Sequence, residues 1–253
     1  MPAHDILCGQ SFHDSMSRLF LVRHGQASFL EPDYDKLSAK GEAQSRLLGE
    51  YWARHKMVFD AVYSGPRVRQ IATARIAGEA FAAAGLPWPE PVVMPEFDEF
   101  RAEAVMEQSL PRLLESDAEV RKLHEAFKGS TTREEQFKLF QKLFEVVIGQ
   151  WVSGKLLAPN IEPWSEFCRR VSAGLAQLTN GGRDRTVAIF SSGGPVALGM
   201  QRALDLSPEV TLRTAWMVRN GSYSEFLFSA NRFTLSSYNS CPHLTEPGFL
   251  TYR

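Results

Sequence analysis

A histidine between an arginine and a glycine follows a short apolar run near the start of the chain. Residues 19–22 are apolar and predict a buried strand, and Arg23-His24-Gly25-Gln26 comes directly after them. A neutral imidazole is a competent nucleophile near pH 7, and a guanidinium group matches the oxygens of a phosphate. A glycine lets the backbone approach a bound anion closely. The arrangement indicates nucleophilic chemistry at a phosphate group, in which the imidazole would form a phosphoramidate.

Three further polar segments also follow predicted strands. These strands are predicted from apolar runs at residues 60–63, 92–94 and 185–190. In α/β sheets, ligands bind outside the carboxyl ends of the strands, so the segments are candidates for the same site as His24. The segments are residues 64–69, which contain Arg67 and Arg69, residues 96–103, which contain Glu96 and Glu99, and residues 191–194, which are Ser-Ser-Gly-Gly.

Helices are predicted between these strands, and the alternation indicates an α/β fold. Ser38 is a suitable N-cap for the first helix. We expect a three-layer, mostly parallel sheet with helices on both faces, followed by two alternating strands at 223–228 and 233–237. The predicted helices cover residues 40–55, 67–85, 164–178 and 193–204.

Residues 102–154 differ from the rest of the chain, because they hold Lys, Glu, Gln, Leu and Phe at helical spacing and few strand formers. We interpret them as an insertion of two or three helices, at about 102–163, within a single domain of residues 16–253. Their Phe and Leu positions fit an ordinary helical core or a dimer surface. Residues 1–15 are interpreted as a flexible N-terminal extension, or as upstream sequence read from a wrong start codon.

The composition argues against several classes of protein. The 253-residue chain has a formal net charge of −1, which indicates no basic surface for nucleic acid or membrane. Its three cysteines include no Cys-x-x-Cys pair, so neither a disulfide framework nor a structural zinc site is expected. No apolar run is long enough for a membrane span, and residues 1–15 do not resemble a secretory signal. We expect a cytoplasmic protein without nucleic-acid or membrane partners, and the oligomeric state stays open.

The motifs and their order resemble those of the histidine phosphatase (phosphoglycerate-mutase-like) superfamily. The resemblance rests on Leu-Val-Arg-His-Gly-Gln at residues 21–26, on Ser-Gly-Pro-Arg-Val-Arg-Gln-Ile-Ala-Thr-Ala at 64–74 and on Ile-Phe-Ser-Ser-Gly-Gly at 189–194. It covers roughly residues 17–101 and 164–250. It implies the α/β fold described above. No spacing of His, Asp and Glu resembles a metal site, so we predict a reaction that needs neither a metal nor a cofactor.

The same resemblance implies a role for each catalytic candidate. His24 would be the phosphoryl-accepting nucleophile, while Arg23 and Arg69 would bind the phosphate oxygens. Glu99 would protonate the leaving oxygen and then activate water. We favour Glu99 over Glu96 for that role, and a solvated acidic turn is the other interpretation of this segment.

Substrate binding is assigned to residues beside the catalytic candidates. The helical insertion is expected to form a lid over the substrate, because insertions at this place shape the mouth of the pocket in the family. Arg67 is expected to be solvated. The residues assigned to substrate binding are Gly25, Gln26, Ser28 and Gly193.

Two positions depart from the pattern of the family. Ser192 stands where the family has a second histidine that binds the transferring phosphoryl group, and a serine offers a hydrogen bond without a cation. The difference is worth about 1–2 kcal/mol, or about 5–30-fold in rate if it falls wholly in the transition state. Leu30 stands where some members have an asparagine, and Ser28 is close enough in sequence to supply a hydroxyl group. We interpret His243 as structural, not as a substitute for the missing histidine.

From these residues we predict a cofactor-independent phosphomonoesterase that forms a phosphohistidine on His24. Its substrate would be a phosphorylated small molecule or a phosphoprotein. Two alternatives stay open. One is a mutase of the phosphoglycerate type, which returns the phosphoryl group to its substrate. The other is a catalytically weakened relative that only binds a phosphorylated ligand, which Ser192 and Leu30 motivate.

Overall fold

Six strands form one sheet in the computed structural model, which describes residues 16–28, 35–181 and 183–252. The strands are β1 (Ser17–Arg23), β2 (Ala61–Ser64), β3 (Val92–Val93), β4 (Thr186–Ser191), β5 (Tyr223–Ser229) and β6 (Arg232–Ser240). They lie in the order β3-β2-β4-β1-β5-β6. β1 to β4 run parallel, whereas β5 pairs antiparallel with β1 and with β6. The predicted α/β fold with a mostly parallel sheet is confirmed, and the expected extension at residues 1–15 lies outside the described residues.

Eight α-helices pack around this sheet in the described part of the chain. They are α1 (Ala39–Arg54), α2 (Val68–Ala83), α3 (Ala102–Ser116), α4 (Ala118–Gly129), α5 (Arg133–Val152), α6 (Trp164–Thr179), α7 (Gly193–Leu204) and α8 (Pro208–Met217). The predicted helical segment therefore consists of three helices, α3 to α5. None of the helices in the described ranges is both long and apolar enough to span a bilayer.

Local start signals explain where two of these helices begin. The predicted N-cap of α1 is confirmed, because the hydroxyl oxygen of Ser38 accepts a hydrogen bond from the Gly41 N–H at 3.1 Å. α8 was not predicted from the sequence. It starts with Pro208 directly after Ser207, a combination of N-cap and first-turn proline that is typical of a helix start.

The central strands are buried on both faces, as expected for a sheet between two helical layers. Leu19 and Leu21 of β1 face one apolar cluster, and the alternating Phe20 and Val22 face the other. Helices α1 and α2 cover the second face. The first cluster contains buried residues from the sheet and from α3 to α7 together, so the helical segment packs onto the same core as the sheet.

Candidate active site

The segments that follow β1 and β4 leave the sheet side by side. Arg23 and Ser191 are register partners at the carboxyl ends of these two strands, and the His24 N–H donates to the Ser191 carbonyl at 2.9 Å. On the other side, the Gly221 N–H lies 3.1 Å from the carbonyl oxygens of both Arg23 and His24. Backbone hydrogen bonds from two neighbouring segments therefore fix the position of His24.

The His24 imidazole is buried and held in one tautomer. His24 is only 5% exposed, and its Nδ1 lies 2.7 Å from the carbonyl oxygen of Gly25. Because a carbonyl can only accept, Nδ1 carries the proton and Nε2 keeps its lone pair. Nε2 accepts a hydrogen bond from Arg69 Nε at 3.1 Å. Burial, and then the charges of Arg69 and Arg23, hold the pKa of His24 well below its ordinary value, so the ring stays neutral.

Arg69 is clamped at the start of α2 between His24 and an acid that the sequence reasoning missed. Its Nη1 lies 2.7 Å from Asp35 Oδ1. The other oxygen of Asp35 accepts the Val68 N–H at 2.8 Å, in the first turn of α2. A buried guanidinium that is bound at two points has little freedom, so Arg69 presents a fixed cation beside the imidazole.

Arg67 does not lie free in solvent, which corrects the sequence expectation. It is part-buried, its Nε lies 2.5 Å from Asp98 Oδ1, and its Nη2 donates to the Glu99 carbonyl at 3.2 Å. Arg23 also has a backbone partner, because its Nη1 donates to the Val218 carbonyl. Together with Arg69, these side chains bring three guanidinium groups to one cavity.

Glu99 is the acid that lies among these arginines at the cavity. Its Oε2 accepts the Gly194 N–H at 2.9 Å, at the start of α7, and its Oε1 accepts the Phe100 N–H at 3.0 Å. Burial raises the pKa of Glu99, although these hydrogen bonds and the nearby arginines oppose the rise. A Cβ atom on Gly194 would lie 2.2 Å from Oε1, so the Glu99 carboxyl group could not keep this position beside a larger residue.

The loop before Glu99 is held by helix α6, and Glu96 belongs to that contact. Arg170 Nη1 donates to the carbonyl oxygens of Pro95 and Glu96, each at 2.9 Å, and to that of Asp98 at 3.2 Å. The side chain of Glu96 lies against Gly174 of α6. Of the two acids considered from the sequence, the structure therefore places Glu99, and not Glu96, at the cavity.

Ser192 lies behind the cavity wall. The residue is 1% exposed, and its hydroxyl oxygen accepts a hydrogen bond from Gln70 Nε2 at 2.8 Å. Gln70 is fully buried, and its Oε1 accepts the Arg67 N–H at 3.0 Å. Gln70 thus links Ser192 to the start of α2, a connection that the sequence reasoning did not find. Of residues 191–194, at the carboxyl end of β4, Gly193 and Gly194 line the cavity and the two serines do not.

The cavity has a volume of about 720 Å³ and is lined by two groups of side chains. We call the first the charged region, which consists of Arg23, His24, Arg67, Arg69 and Glu99. We call the second the aromatic region, which consists of Phe140 and Phe144 of α5 and Trp216 of α8. The remaining described lining residues are Ala27, Phe100, Arg101, Ala102, Glu103, Ala104, Glu107, Gly193, Gly194, Ala215, Asn220 and Tyr252.

Three residues assigned to substrate binding are not on this wall. A Cβ atom on Gly25 would lie 2.3 Å from the Gly41 carbonyl, so this glycine permits close packing against α1. The Gln26 side chain accepts a hydrogen bond from Ser38 Oγ at 3.1 Å, which ties it to the same helix. The buried Ser28 donates its N–H to the Lys36 carbonyl at 2.9 Å. Leu30 lies outside the described residues.

His243 is buried outside the cavity wall. Its ring stacks on that of Tyr223 with the centroids 6.4 Å apart, and the Tyr51 ring lies at 6.1 Å. Burial lowers the pKa of His243 to about 4, so it is neutral at neutral pH. This packing agrees with the interpretation of His243 as a structural residue.

The lining also includes residues that the sequence reasoning did not assign to the site. Asn220 is buried, and its Nδ2 lies 3.5 Å from the His24 carbonyl. Trp216 comes from the unpredicted helix α8, and Phe140 and Phe144 come from the helical segment α3–α5, which therefore forms part of the wall. The Ser207-Pro208 start signal was present in the sequence for α8, whereas nothing in the sequence marks these aromatic residues as lining a cavity.

Comparisons with known proteins show the family and the fold of the chain. The model of the histidine phosphatase superfamily (branch 1) matches residues 19–154 and 122–241. The fold is similar to that of the alpha-ribazole phosphatase from Shigella flexneri, with a TM-score of 0.57, 20% identity, and coverage of 88% of this chain and 96% of that one. No curated protein matches the chain in sequence.

Two further solved structures share the fold at low sequence identity. A phosphoserine phosphatase from Entamoeba histolytica, in complex with 3-phosphoglyceric acid, has a TM-score of 0.57 and 18% identity, with coverage of 90% of this chain and 100% of that one. A phosphoglycerate mutase from Bacillus anthracis str. Sterne has a TM-score of 0.56 and 16% identity, with coverage of 91% and 96%. At such identities these similarities show the fold alone. The family model spans most of the chain, and the chain belongs to the histidine phosphatase superfamily.

Proposed function

We propose that this protein hydrolyses a phosphomonoester through a phosphohistidine formed on His24. The observation that carries the proposal is the arrangement around one cavity of a neutral imidazole, a part-buried carboxyl group and three guanidinium groups. The tautomer of His24 leaves Nε2 with a lone pair, and Glu99 has a raised pKa. Nucleophile, acid and anion-binding groups are the parts that a two-step phosphoryl transfer needs.

In the first step, Nε2 of His24 attacks phosphorus and the bond from phosphorus to the ester oxygen breaks. Glu99 gives its proton to that leaving oxygen, because an alkoxide is a poor leaving group. The Nδ1–H of the imidazole keeps its hydrogen bond to the Gly25 carbonyl, which stabilises the ring as it becomes positively charged. The free alcohol then leaves, and His24 carries the phosphoryl group.

In the second step, water attacks the phosphoryl group and the bond from phosphorus to Nε2 breaks. Glu99, now a carboxylate, accepts a proton from that water, which restores both residues and releases inorganic phosphate. The reaction as written uses no metal or other cofactor, and we expect turnover to persist in the presence of a chelator.

The three arginines take the place of the cation that Ser192 does not supply. Arg69 Nε donates a hydrogen bond to His24 Nε2. We propose that this N–H turns to a phosphate oxygen when the substrate enters and so exposes the lone pair. Arg23 and Arg67 neutralise the remaining oxygens, with the Gly193 N–H at the start of α7 as a further donor. Ser192 contributes through its hydrogen bond with Gln70, which fixes the start of α7.

The test is a phosphatase assay of purified wild type beside His24→Ala, with a chelator present and p-nitrophenyl phosphate and alkyl phosphates as substrates. We expect turnover by the wild type and a loss of at least about 50-fold in the variant, because the covalent route is removed. His55→Ala is the matched control, since His55 is exposed and is not among the described residues that line the cavity.

Other results of this assay would favour the alternatives. Activity in His24→Ala within a few-fold of the wild type would overturn the proposal. An isomerised product with no free phosphate would indicate a mutase. Phosphate binding without turnover in either protein would indicate a relative that only binds its ligand.

A further inference from the structure

The cavity is larger than the chemistry of the charged region requires. Its volume of about 720 Å³ lies within the range of about 300–1,000 Å³ that is typical of sites for drug-sized ligands. A phosphoryl group bound to Arg23, Arg69 and His24 occupies only the charged region. The remaining space must hold the organic part of the ester, so the chemistry of its walls indicates the class of substrate.

The walls beyond the charged region are mainly apolar and aromatic. Phe144 and Trp216 meet edge to face with their ring centroids 5.3 Å apart, and Phe140 lies 6.0 Å from Phe144. Phe140 and Trp216 are only part-buried, so both still present ring surface that a ligand can cover. Aromatic rings of a ligand would pack against such a surface in offset or edge-to-face geometry.

The charged side chains that line the cavity outside the charged region do not match a second anionic group on the substrate. Glu103 and Glu107 line the cavity from one face of α3, where they are one helical turn apart. Arg101 is the single further cation among the described lining residues, and like Glu103 and Glu107 it is exposed. A second phosphate or carboxylate would therefore meet more negative than positive charge outside the charged region.

We infer that the substrate is a phosphomonoester of an aromatic alcohol or phenol with no second anionic group. This inference rests on the function proposed above, since it places the phosphate at His24. The ring of the substrate lies against Phe140, Phe144 and Trp216. Glu103 and Glu107 disfavour carboxylated substrates such as phosphoglycerates.

The test compares kcat/KM for phenyl phosphate, 2-naphthyl phosphate and 6-carboxy-2-naphthyl phosphate, all with aryl leaving groups. We expect the naphthyl ester to exceed the phenyl ester by about 10-fold or more, because additional apolar surface is buried. The carboxylated ester should fall below the naphthyl ester by about 10-fold. The double variant Glu103→Gln/Glu107→Gln should reduce this second difference to within about threefold.

Variants of the aromatic region test whether the preference for the naphthyl ester arises there. In Trp216→Leu and in Phe140→Ala, the ratio of naphthyl to phenyl kcat/KM should fall by about 5-fold or more. Phe137→Ala is the matched control for Phe140→Ala. Phe137 is on the same helix, α5, is 50% exposed and is not among the described residues that line the cavity. This control should keep the wild-type ratio.

The outcomes separate this inference from the function on which it rests. Turnover that depends on His24, with equal kcat/KM for the phenyl and naphthyl esters, would overturn the substrate class and leave the proposed phosphatase intact. If no ester is turned over, the function fails, and binding of the non-hydrolysable phenyl- and 2-naphthylphosphonates still decides the preference. Tighter binding of the naphthyl compound by 10-fold supports the inference, and equal affinities contradict it.

Discussion

The charged and the aromatic region of the cavity are positioned by different kinds of interaction. His24 is fixed by backbone hydrogen bonds to β4 and to residue 221, and Glu99 by the N–H groups of Gly194 and Phe100. Phe144 and Trp216 instead come from two helices and are held by ring packing. Hydrogen bonds are directional, whereas apolar packing tolerates changes of shape. We therefore expect changes in the charged region to slow all substrates, and changes in the aromatic region to alter the choice of substrate.

Among variants at Arg69, Glu99, Gln70 and His243, the largest effect should come from Arg69→Ala. This change removes a fixed cation beside the reacting phosphorus and leaves Asp35 without its ion pair. We expect kcat/KM to fall by about 10²–10³-fold for every substrate, as is usual when one donor to a transition-state oxyanion is lost. Steady-state kinetics with the phenyl and naphthyl esters measure this loss. A loss confined to one ester would contradict the distinction between the two regions.

Glu99→Gln should have an effect that depends on the leaving group. For an alkyl phosphate we expect a loss of about 10²-fold, because the leaving alkoxide needs a proton, and for p-nitrophenyl phosphate a much smaller loss in the first step. The raised pKa of Glu99 keeps its protonated form present at higher pH than in an ordinary glutamate. In the wild type, kcat/KM should therefore decline as the pH rises through this pKa.

The pH profile of Glu99→Gln tests whether the alkaline decline of kcat/KM comes from Glu99. A glutamine does not titrate, so the variant should lose the alkaline decline. It should keep the acid decline, where protonation of His24 removes the nucleophile. An alkaline decline that is the same in both proteins would assign it to another group.

Gln70→Leu should give a moderate effect. The change leaves the buried hydroxyl oxygen of Ser192 without its donor and the Arg67 N–H without its acceptor. We expect the free energy of unfolding to fall by about 1–3 kcal/mol and kcat to fall by about 5–30-fold. The double variant Gln70→Leu/Ser192→Ala tests whether the two residues act through their hydrogen bond. If they do, Gln70→Leu should lower kcat and the unfolding free energy by less when Ser192 is already alanine. Fully additive losses would show that the two residues act independently.

His243 should give the smallest effect on activity, although it is as buried as His24. Its folded-state pKa of about 4 lies below the usual value of 6.5, so its neutral form stabilises the fold above pH 6.5. That contribution is lost as the pH falls, and it amounts to about 3 kcal/mol by pH 4.

Urea unfolding of the wild type and of His243→Phe between pH 7 and pH 4 measures this contribution. The variant should show the weaker dependence of the unfolding free energy on pH, and its kcat should stay within about twofold. A large loss of kcat in a variant that folds normally would place His243 in the active site, contrary to its packing against Tyr223 and Tyr51.

The sequence predicted those parts of the molecule that depend on short-range pattern. Apolar runs, the Ser38 cap and the Arg-His-Gly triplet located the central strands, helix α1 and the turn that carries His24. Of the two glutamates considered for the acid, Glu99 lines the cavity and Glu96 packs against α6. The role of Glu99 as the acid stays a prediction.

Contacts between distant segments were not predictable in the same way. The hydrogen bond between Gln70 and Ser192 joins residues 122 positions apart, which the packing of α2 against β4 brings together. Gly25 and Gln26 were expected at the substrate because they flank His24. The structure places Gly25 against Gly41 of α1, and the Gln26 side chain bonds to the N-cap Ser38, contacts that the local sequence does not indicate. The aromatic region depends on how α5 and α8 meet, which their own periodicity does not determine.

The most direct test of the central claim is detection of the phosphoenzyme. Wild type and Glu99→Gln are mixed with p-nitrophenyl phosphate, quenched in alkali and mapped by mass spectrometry, with ³¹P NMR to distinguish the two ring nitrogens. We expect the phosphoryl group on Nε2 of His24, in larger amount in Glu99→Gln, because activation of water is slowed there. Continued turnover by the wild type with no phosphoryl group on His24 in either protein would contradict the claim.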